Sequence, residues 1–230
     1  MGIILDNEKN KAISVEFPLN GEWKFLRPPG HHEFAFDFVK VVKGKMHSKN
    51  PINSLIGSTS SKDYFCWQEP VSSPISGIVL QCANDWPDHD KNNLIKTIKR
   101  WYNATYKFKP EKRNGFIDIR PNAGNYLMIK SDDDFIVFLA HLKQHSLTVK
   151  IGDEIEVGQK LAEVGNSGNS TAPHLHMNLF DQMDDPIKAE VLPFVFRTYQ
   201  ERKNDGAWHN CNSSIPKVKS IISRTKQTIK

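Results

Sequence analysis

Between Gly124 and Phe180 the chain alternates four short apolar runs with glycine-bearing turns, a rhythm too tight for helices of ordinary length. The runs are Tyr126–Ile129, Phe135–His141, Lys160–Val164 and His174–Phe180. Strands this close, joined by turns this short, pair with neighbours running the opposite way, so the stretch predicts an antiparallel sheet. Upstream, Ile13–Val42 is dominated by Phe, Val and Trp. It is broken by Gly21 and by Pro28-Pro29-Gly30, alternates through Glu33–Val39, and reads as further strands. Lys43–Lys62 is polar and reads as a surface loop, after which the sheet resumes. Pro74–Leu80 gives a turn followed by a β-branched run, as where a strand starts into a buried sheet.

One segment breaks the pattern. Within Cys82–Asn114, the residues Leu94, Ile95, Ile98, Trp101 and Tyr102 are spaced for an amphipathic helix, which predicts a helical insertion beside the sheet. Phe194–Arg202 is expected to form a short C-terminal helix. The expected architecture is mainly β: an antiparallel sheet or sandwich core in a single domain over 1–211, densest at 124–180, with a basic tail over 212–230.

Bulk properties narrow the function classes. Apolar residues at 38% and charged residues at 25% give a globular balance rather than a disordered one. The formal charge of +5 favours anionic partners, and no acidic residue occurs from Lys217 to Lys230, which reads as a solvated tail. The aromatic and glycine spacing of an RNA-binding sheet is missing, so no nucleic-acid partner is expected. Cys66, Cys82 and Cys211 form no Cys-x-x-Cys pair, which excludes a cysteine zinc knuckle and a thioredoxin-like motif. Charges interrupt the apolar runs of Met1–Asn20, so no signal peptide is visible. No later run reaches the ~20 apolar residues of a membrane span, and a monomer is expected.

The chemistry concentrates in histidines. In Pro173-His174-Leu175-His176 a strand would project both imidazoles from one face and Leu175 from the other, so the pair can address one metal ion. His141 ends the apolar run Leu139-Ala140, where a polar side chain is costly unless satisfied. Asp37 lies between Phe36 and Phe38; facing inward it needs a cation or hydrogen-bond donors, facing outward it is solvated. The Gly165–Thr171 turn, with glycines at 165 and 168, is placed to aim the His-x-His strand.

In order and spacing, five segments resemble the lysostaphin and LytM zinc endopeptidase family: Gly124–Ile129, Leu139–Leu142, Val149–Lys160, Gly165–Ser170 and Pro173–His176. A thinner likeness extends to Pro74–Val79. The resemblance implies the fold of a lysostaphin-type peptidase and a Zn²⁺ cofactor. It implies hydrolysis of peptide cross-links in bacterial peptidoglycan, with action in the periplasm or at the cell wall. Carried over by position, it makes Asp37 and His176 zinc ligands and His141 and His174 the catalytic pair. The remaining ligand departs from the family's His-x-x-x-Asp pattern, since Glu33 stands four residues before Asp37. His32 is the expected ligand, with His31 next and Glu33 third. The same departure admits a metal-free, wall-binding or regulatory relative as the alternative. A lipoyl-type carrier, suggested by the cadence of Val149–Val164, lacks the modifiable Met-Lys hairpin.

Overall fold

The computed structural model describes residues 12–49, 59–92, 98–100, 102, 112–113, 116–182, 189–203 and 206–225. Among the described residues, twelve strands share one sheet. In chain order they are β1 (Ile13–Val15), β2 (Glu22–Leu26), β3 (Phe36–Lys40), β4 (Gly77–Ala83), β5 (Asn125–Lys130), β6 (Ile136–Leu142), β7 (Glu154–Ile155), β8 (Leu175–Phe180), β9 (Val191–Leu192), β10 (Phe194–Arg202), β11 (Trp208–Ser214) and β12 (Ile221–Ser223). Their spatial order is β1-β10-β12-β2-β3-β8-β6-β5-β4-β7, with β9 on β8 and β11 on β10. Every pairing is antiparallel except that of β1 with β10.

The period of two along the central strands separates two faces. Leu127 and Ile129 of β5, Val137 and Leu139 of β6, and Leu175, Met177 and Leu179 of β8 point into the main core. They meet Phe17, Trp23, Phe25 and Phe38 there, all without exposed surface. The alternate positions, Tyr126, Met128, Ile136, Phe138 and Ala140, form a second apolar cluster on the opposite face, with Phe180 packed against it. That second face carries the histidines.

At the end of β6 the alternation slips by one residue. Asn125 pairs with Leu142 and Tyr126 with Ala140, which leaves His141 as the extra residue of a bulge, at φ +60°. Leu139 and Leu142 both stay in the core, so the bulge frees His141 to turn towards the second face. A left-handed conformation is uncommon for a residue with a side chain.

The turn before β8 is pressed against this bulge. A Cβ on Gly124 would lie 2.5 Å from the Ser167 carbonyl carbon, one on Gly165 2.4 Å from the Lys143 backbone, and one on Gly168 2.3 Å from the Gly124 nitrogen. Gly168 also has φ +69°, whereas Gly165 is needed for space alone. Gly124→Ala is expected to destabilise the chain by about 1–3 kcal/mol through overpacking, and to displace Ser167. Chemical denaturation measures the first effect, and an unchanged unfolding midpoint would contradict it.

Three expectations are corrected. Phe194–Arg202 is not a helix but the nine-residue strand β10, hydrogen-bonded to β1, β11 and β12. Its aromatics Phe194, Phe196 and Tyr199 are buried and its run includes β-branched Val195 and Thr198, so sheet packing dominates. The segment from 212 onward is not a solvated tail over its described length. β12 lies between β10 and β2, and Ile222 is fully buried. The polar loop 43–62 includes a two-stranded ribbon of Thr59–Ser60 with Lys91–Asn92, and its residues 50–58 lie outside the described ones. In the insertion, residues 98–100 and Tyr102 are helical, and the rest of the expected helix lies outside the described residues.

Candidate active site

Cross-strand register builds the centre of the site. Asp37 on β3 stands directly opposite His176 on β8, and both face away from the core that holds Phe36, Phe38, Leu175 and Met177. The Asp37 carboxylate is therefore the inward-facing case, 6% exposed. Its Oδ1 lies 2.9 Å from His176 Nδ1 and 3.4 Å from His31 Nε2, and its Oδ2 lies 3.4 Å from His174 Nε2. Burial by itself would raise the Asp37 carboxyl, but His174, His176 and His31 outweigh it and hold the group well below the usual carboxylate range.

His31 arrives by a tight turn. The His31 N–H donates to the Pro28 carbonyl at 3.2 Å across Pro29 and Gly30, and Gly30 has φ +89°. Proline then left-handed glycine at the two central positions is the type II arrangement. A second turn follows, closed by the Ala35 N–H on the His32 carbonyl at 3.0 Å. It points His32 elsewhere: the His32 ring is exposed, and its Nδ1 accepts the Phe34 N–H at 3.3 Å. The structure thus brings His31, and not His32 or the exposed Glu33, beside Asp37 and His176. The expectation for His32 is corrected on geometry, because the 32–35 turn absorbs the residues that separate His31 from Asp37. Desolvation pulls the His31 ring down, yet its contact with Asp37 more than offsets this and leaves it raised.

His141 and His174 face each other across the same cleft, ring centroids 4.6 Å apart. Each is held by a backbone carbonyl. His141 Nδ1 is 2.9 Å from the Ser167 oxygen, and His174 Nδ1 is 2.7 Å from the Ala172 oxygen, with the Ser170 hydroxyl 3.2 Å away. A carbonyl only accepts, so the proton sits on Nδ1 in both rings; both Nε2 lone pairs turn into the cleft, that of His174 3.4 Å from Asp37 Oδ2. Burial, with the neighbouring His174 and His176, holds His141 well below the ordinary histidine value, and burial lowers His174 too. Both are neutral bases near neutral pH.

The cleft has a volume of about 370 Å³ and is lined by these five residues together with the apolar side chains of Met128, Phe138 and Phe180. Its donor set fits a divalent ion. One donor atom from each of His31, Asp37 and His176 lies within 4.8 Å of the other two, and two imidazoles with one carboxylate is a ligand combination of catalytic zinc sites. Such an ion would also offer the buried carboxylate a compensating positive charge.

The family model of Peptidase family M23 matches residues 114–188, the stretch that contains the bulge, the glycine turn and both strand histidines. Over that stretch, about a third of its length, the chain is similar to peptidase family M23. Among relatives, the "Uncharacterized metalloprotease" of Buchnera aphidicola subsp. Baizongia pistaciae is 41% identical over 58 residues, 25% of this chain and 15% of that protein. "Peptidoglycan DD-endopeptidase ShyA" of Vibrio cholerae serotype O1 is 37% identical over 59 residues, 26% of this chain and 13% of that protein. The matches thus span a small part of those relatives' length. Among solved structures, the catalytic domain of the antimicrobial peptidase lysostaphin from Staphylococcus simulans aligns at 16% identity and a TM-score of 0.39. That alignment covers 78% of this chain and 88% of that one. Among the described residues no helix is long and apolar enough to cross a membrane.

Sequence reasoning did not single out the groups behind the cleft histidines. Cys66 is fully buried, and its thiol donates to the Pro173 carbonyl at 2.9 Å, just before His174. Asp88 accepts the backbone N–H groups of Asn166 and Gln144 at 2.6 and 2.8 Å, tying the start of the insertion to the glycine turn. Burial pushes the Cys66 thiol from 9.0 up to about 12. The unfolded chain therefore ionises this thiol from pH 9 upward while the folded one keeps its proton, so the stability it contributes is complete below pH 9 and falls as pH climbs towards 12. Denaturant titrations across that range are expected to show a steeper alkaline loss for the native chain than for Cys66→Ala. Parallel losses would refute it.

Proposed function

We propose that the chain is a zinc-dependent endopeptidase that hydrolyses peptide cross-links of bacterial peptidoglycan. One observation carries this reading: two neutral imidazoles with unprotonated Nε2 atoms flank a cleft whose wall is the His31, Asp37 and His176 donor set. His31, Asp37 and His176 would hold the ion. When bound there, zinc supplies Lewis acidity at the scissile carbonyl and brings the pKa of water towards ~7.

The chain's own residues do the rest. His141 and His174 offer Nε2 as proton acceptors for the attacking water, and the ring that gains the proton becomes a donor for the oxyanion or the leaving amine. The carbonyls of Ser167 and Ala172 keep both rings oriented through the change, because Nδ1–H stays bonded throughout. Met128, Phe138 and Phe180 exclude water from one side of the cleft and leave an apolar surface for the substrate backbone. The likeness to a peptidoglycan DD-endopeptidase of Vibrio cholerae supports a murein cross-link as substrate, as does the net positive charge against an anionic wall. That substrate puts the site of action in the periplasm or at the cell wall.

The test is a turnover assay of the zinc-loaded chain on purified murein, with mass spectrometry of released peptides. Newly freed amino and carboxyl ends at peptide bonds are expected. Zinc uptake and murein binding without any released fragment would replace the hydrolase by the wall-binding regulator.

A further inference from the structure

His176 faces an oxygen at each ring nitrogen: Asp37 Oδ1 lies 2.9 Å from Nδ1 and Asn178 Oδ1 lies 3.1 Å from Nε2. A neutral imidazole carries one N–H and can serve one of them. Whichever nitrogen lacks the proton turns a lone pair towards an oxygen, and that contact is repulsive unless a cation stands between. The identity of the second partner therefore decides which side of the ring is open to a metal ion.

Asn178 is two residues beyond His176 on β8, so both side chains leave the same face of the strand. It is 3% exposed, and its Nδ2 is buried without an acceptor. Directly across the strand pair stands Phe138, and Phe180 follows two residues along, both in the apolar cluster of that face. An apolar residue of the same size would suit these neighbours and would remove the unpaired amide hydrogens. The carboxamide is thus explained by its oxygen.

We propose that Asn178 is a positioning residue: by accepting the Nε2–H of His176, it leaves the Nδ1 lone pair aimed at Asp37 and His31 and so sets the affinity of that donor set for zinc. The inference rests on the metal-site reading above and goes beyond it to a residue outside the ligand set. The reverse arrangement, with the amide donating to Nε2, would put the ring proton on Nδ1, bonded to Asp37 and closed to a cation.

The test compares the full chain with Asn178→Leu and Asn178→Asp by zinc competition against a chromogenic chelator, and by denaturation of the zinc-free forms. Loss of an outer hydrogen bond to a ligating histidine weakens metal binding about 10–100-fold, which is the expected result for Asn178→Leu. Its zinc-free stability is expected to match or exceed that of the parent, the opposite of what a merely structural role gives. Asn178→Asp keeps an acceptor for the same proton and is expected to retain zinc affinity. In ¹⁵N spectra of the zinc-loaded chain, the His176 Nε2–H signal is expected to persist in the parent and to exchange with water in Asn178→Leu. Asn178→Leu holding zinc as tightly as the parent, or losing it only in step with zinc-free stability, would overturn the proposal alone. A parent chain that takes up no zinc would overturn the metal-site reading together with it.

Discussion

Alanine in place of His141 or of His174 is expected to lower kcat on purified murein by about 10²–10⁴-fold while zinc content stays at the parental level. The expectation follows from where the two rings are held. Each has Nδ1 committed to a backbone carbonyl and Nε2 unprotonated, and neither belongs to the cluster formed by His31, Asp37 and His176. A proton acceptor is thus lost and no ligand is. The two changes should not add fully in the double variant, because the rings stand 4.6 Å apart and would act on the same water and oxyanion. Kinetics paired with metal analysis reads both quantities. Loss of zinc in His174→Ala, whose Nε2 is 3.4 Å from Asp37, would move that residue from the catalytic pair into the ligand set.

Removal of the metal is the second large effect. A site that binds in the folded state and not in the unfolded one stabilises the fold by about 4 kcal/mol when free zinc is a thousand times its Kd. Chelation of the native chain is therefore expected to lower Tm by several degrees, and re-addition of zinc to restore it. In His176→Ala the chelator is expected to make no difference and zinc content to fall below one equivalent. Asp37→Ala should behave alike, since its carboxylate joins the three imidazoles and is the one negative charge among them. Calorimetry with and without chelator on the three proteins decides the matter. Full zinc occupancy in His176→Ala would contradict the assignment.

What was legible in the sequence was what depends on alternation. The pairing of His174 with His176 on one face, the inward direction of Leu175, and the succession of strands from 124 to 180 all follow from a period of two. His31 was not legible as the neighbour of Asp37, because two consecutive turns, 28–31 and 32–35, fold away the residues between them and make sequence distance a poor guide to space. The bulge at His141 was hidden for a similar reason. Nothing in Leu139-Ala140-His141-Leu142 shows that one of four residues will take a left-handed φ and reverse its side. In Phe194–Arg202, the three-residue step from Phe196 to Tyr199 imitates a helical turn. The partners that make the segment a strand are Ile13–Val15, Trp208–Ser214 and Ile221–Ser223, all far from it or beyond it in the chain.

The place of β12 bears on how such a chain is made. β2 has β3 on one side and, on the other, a strand drawn from residues 221–223, and β1 rests on β10 from residues 194–202. During synthesis the amino-terminal strands therefore wait for partners far downstream in the chain, and long-range pairing of this kind is slow to form. Asp37, carried on β3, can meet His174 and His176 only after β8 has been made, so the cleft assembles well after its first donors have been synthesised.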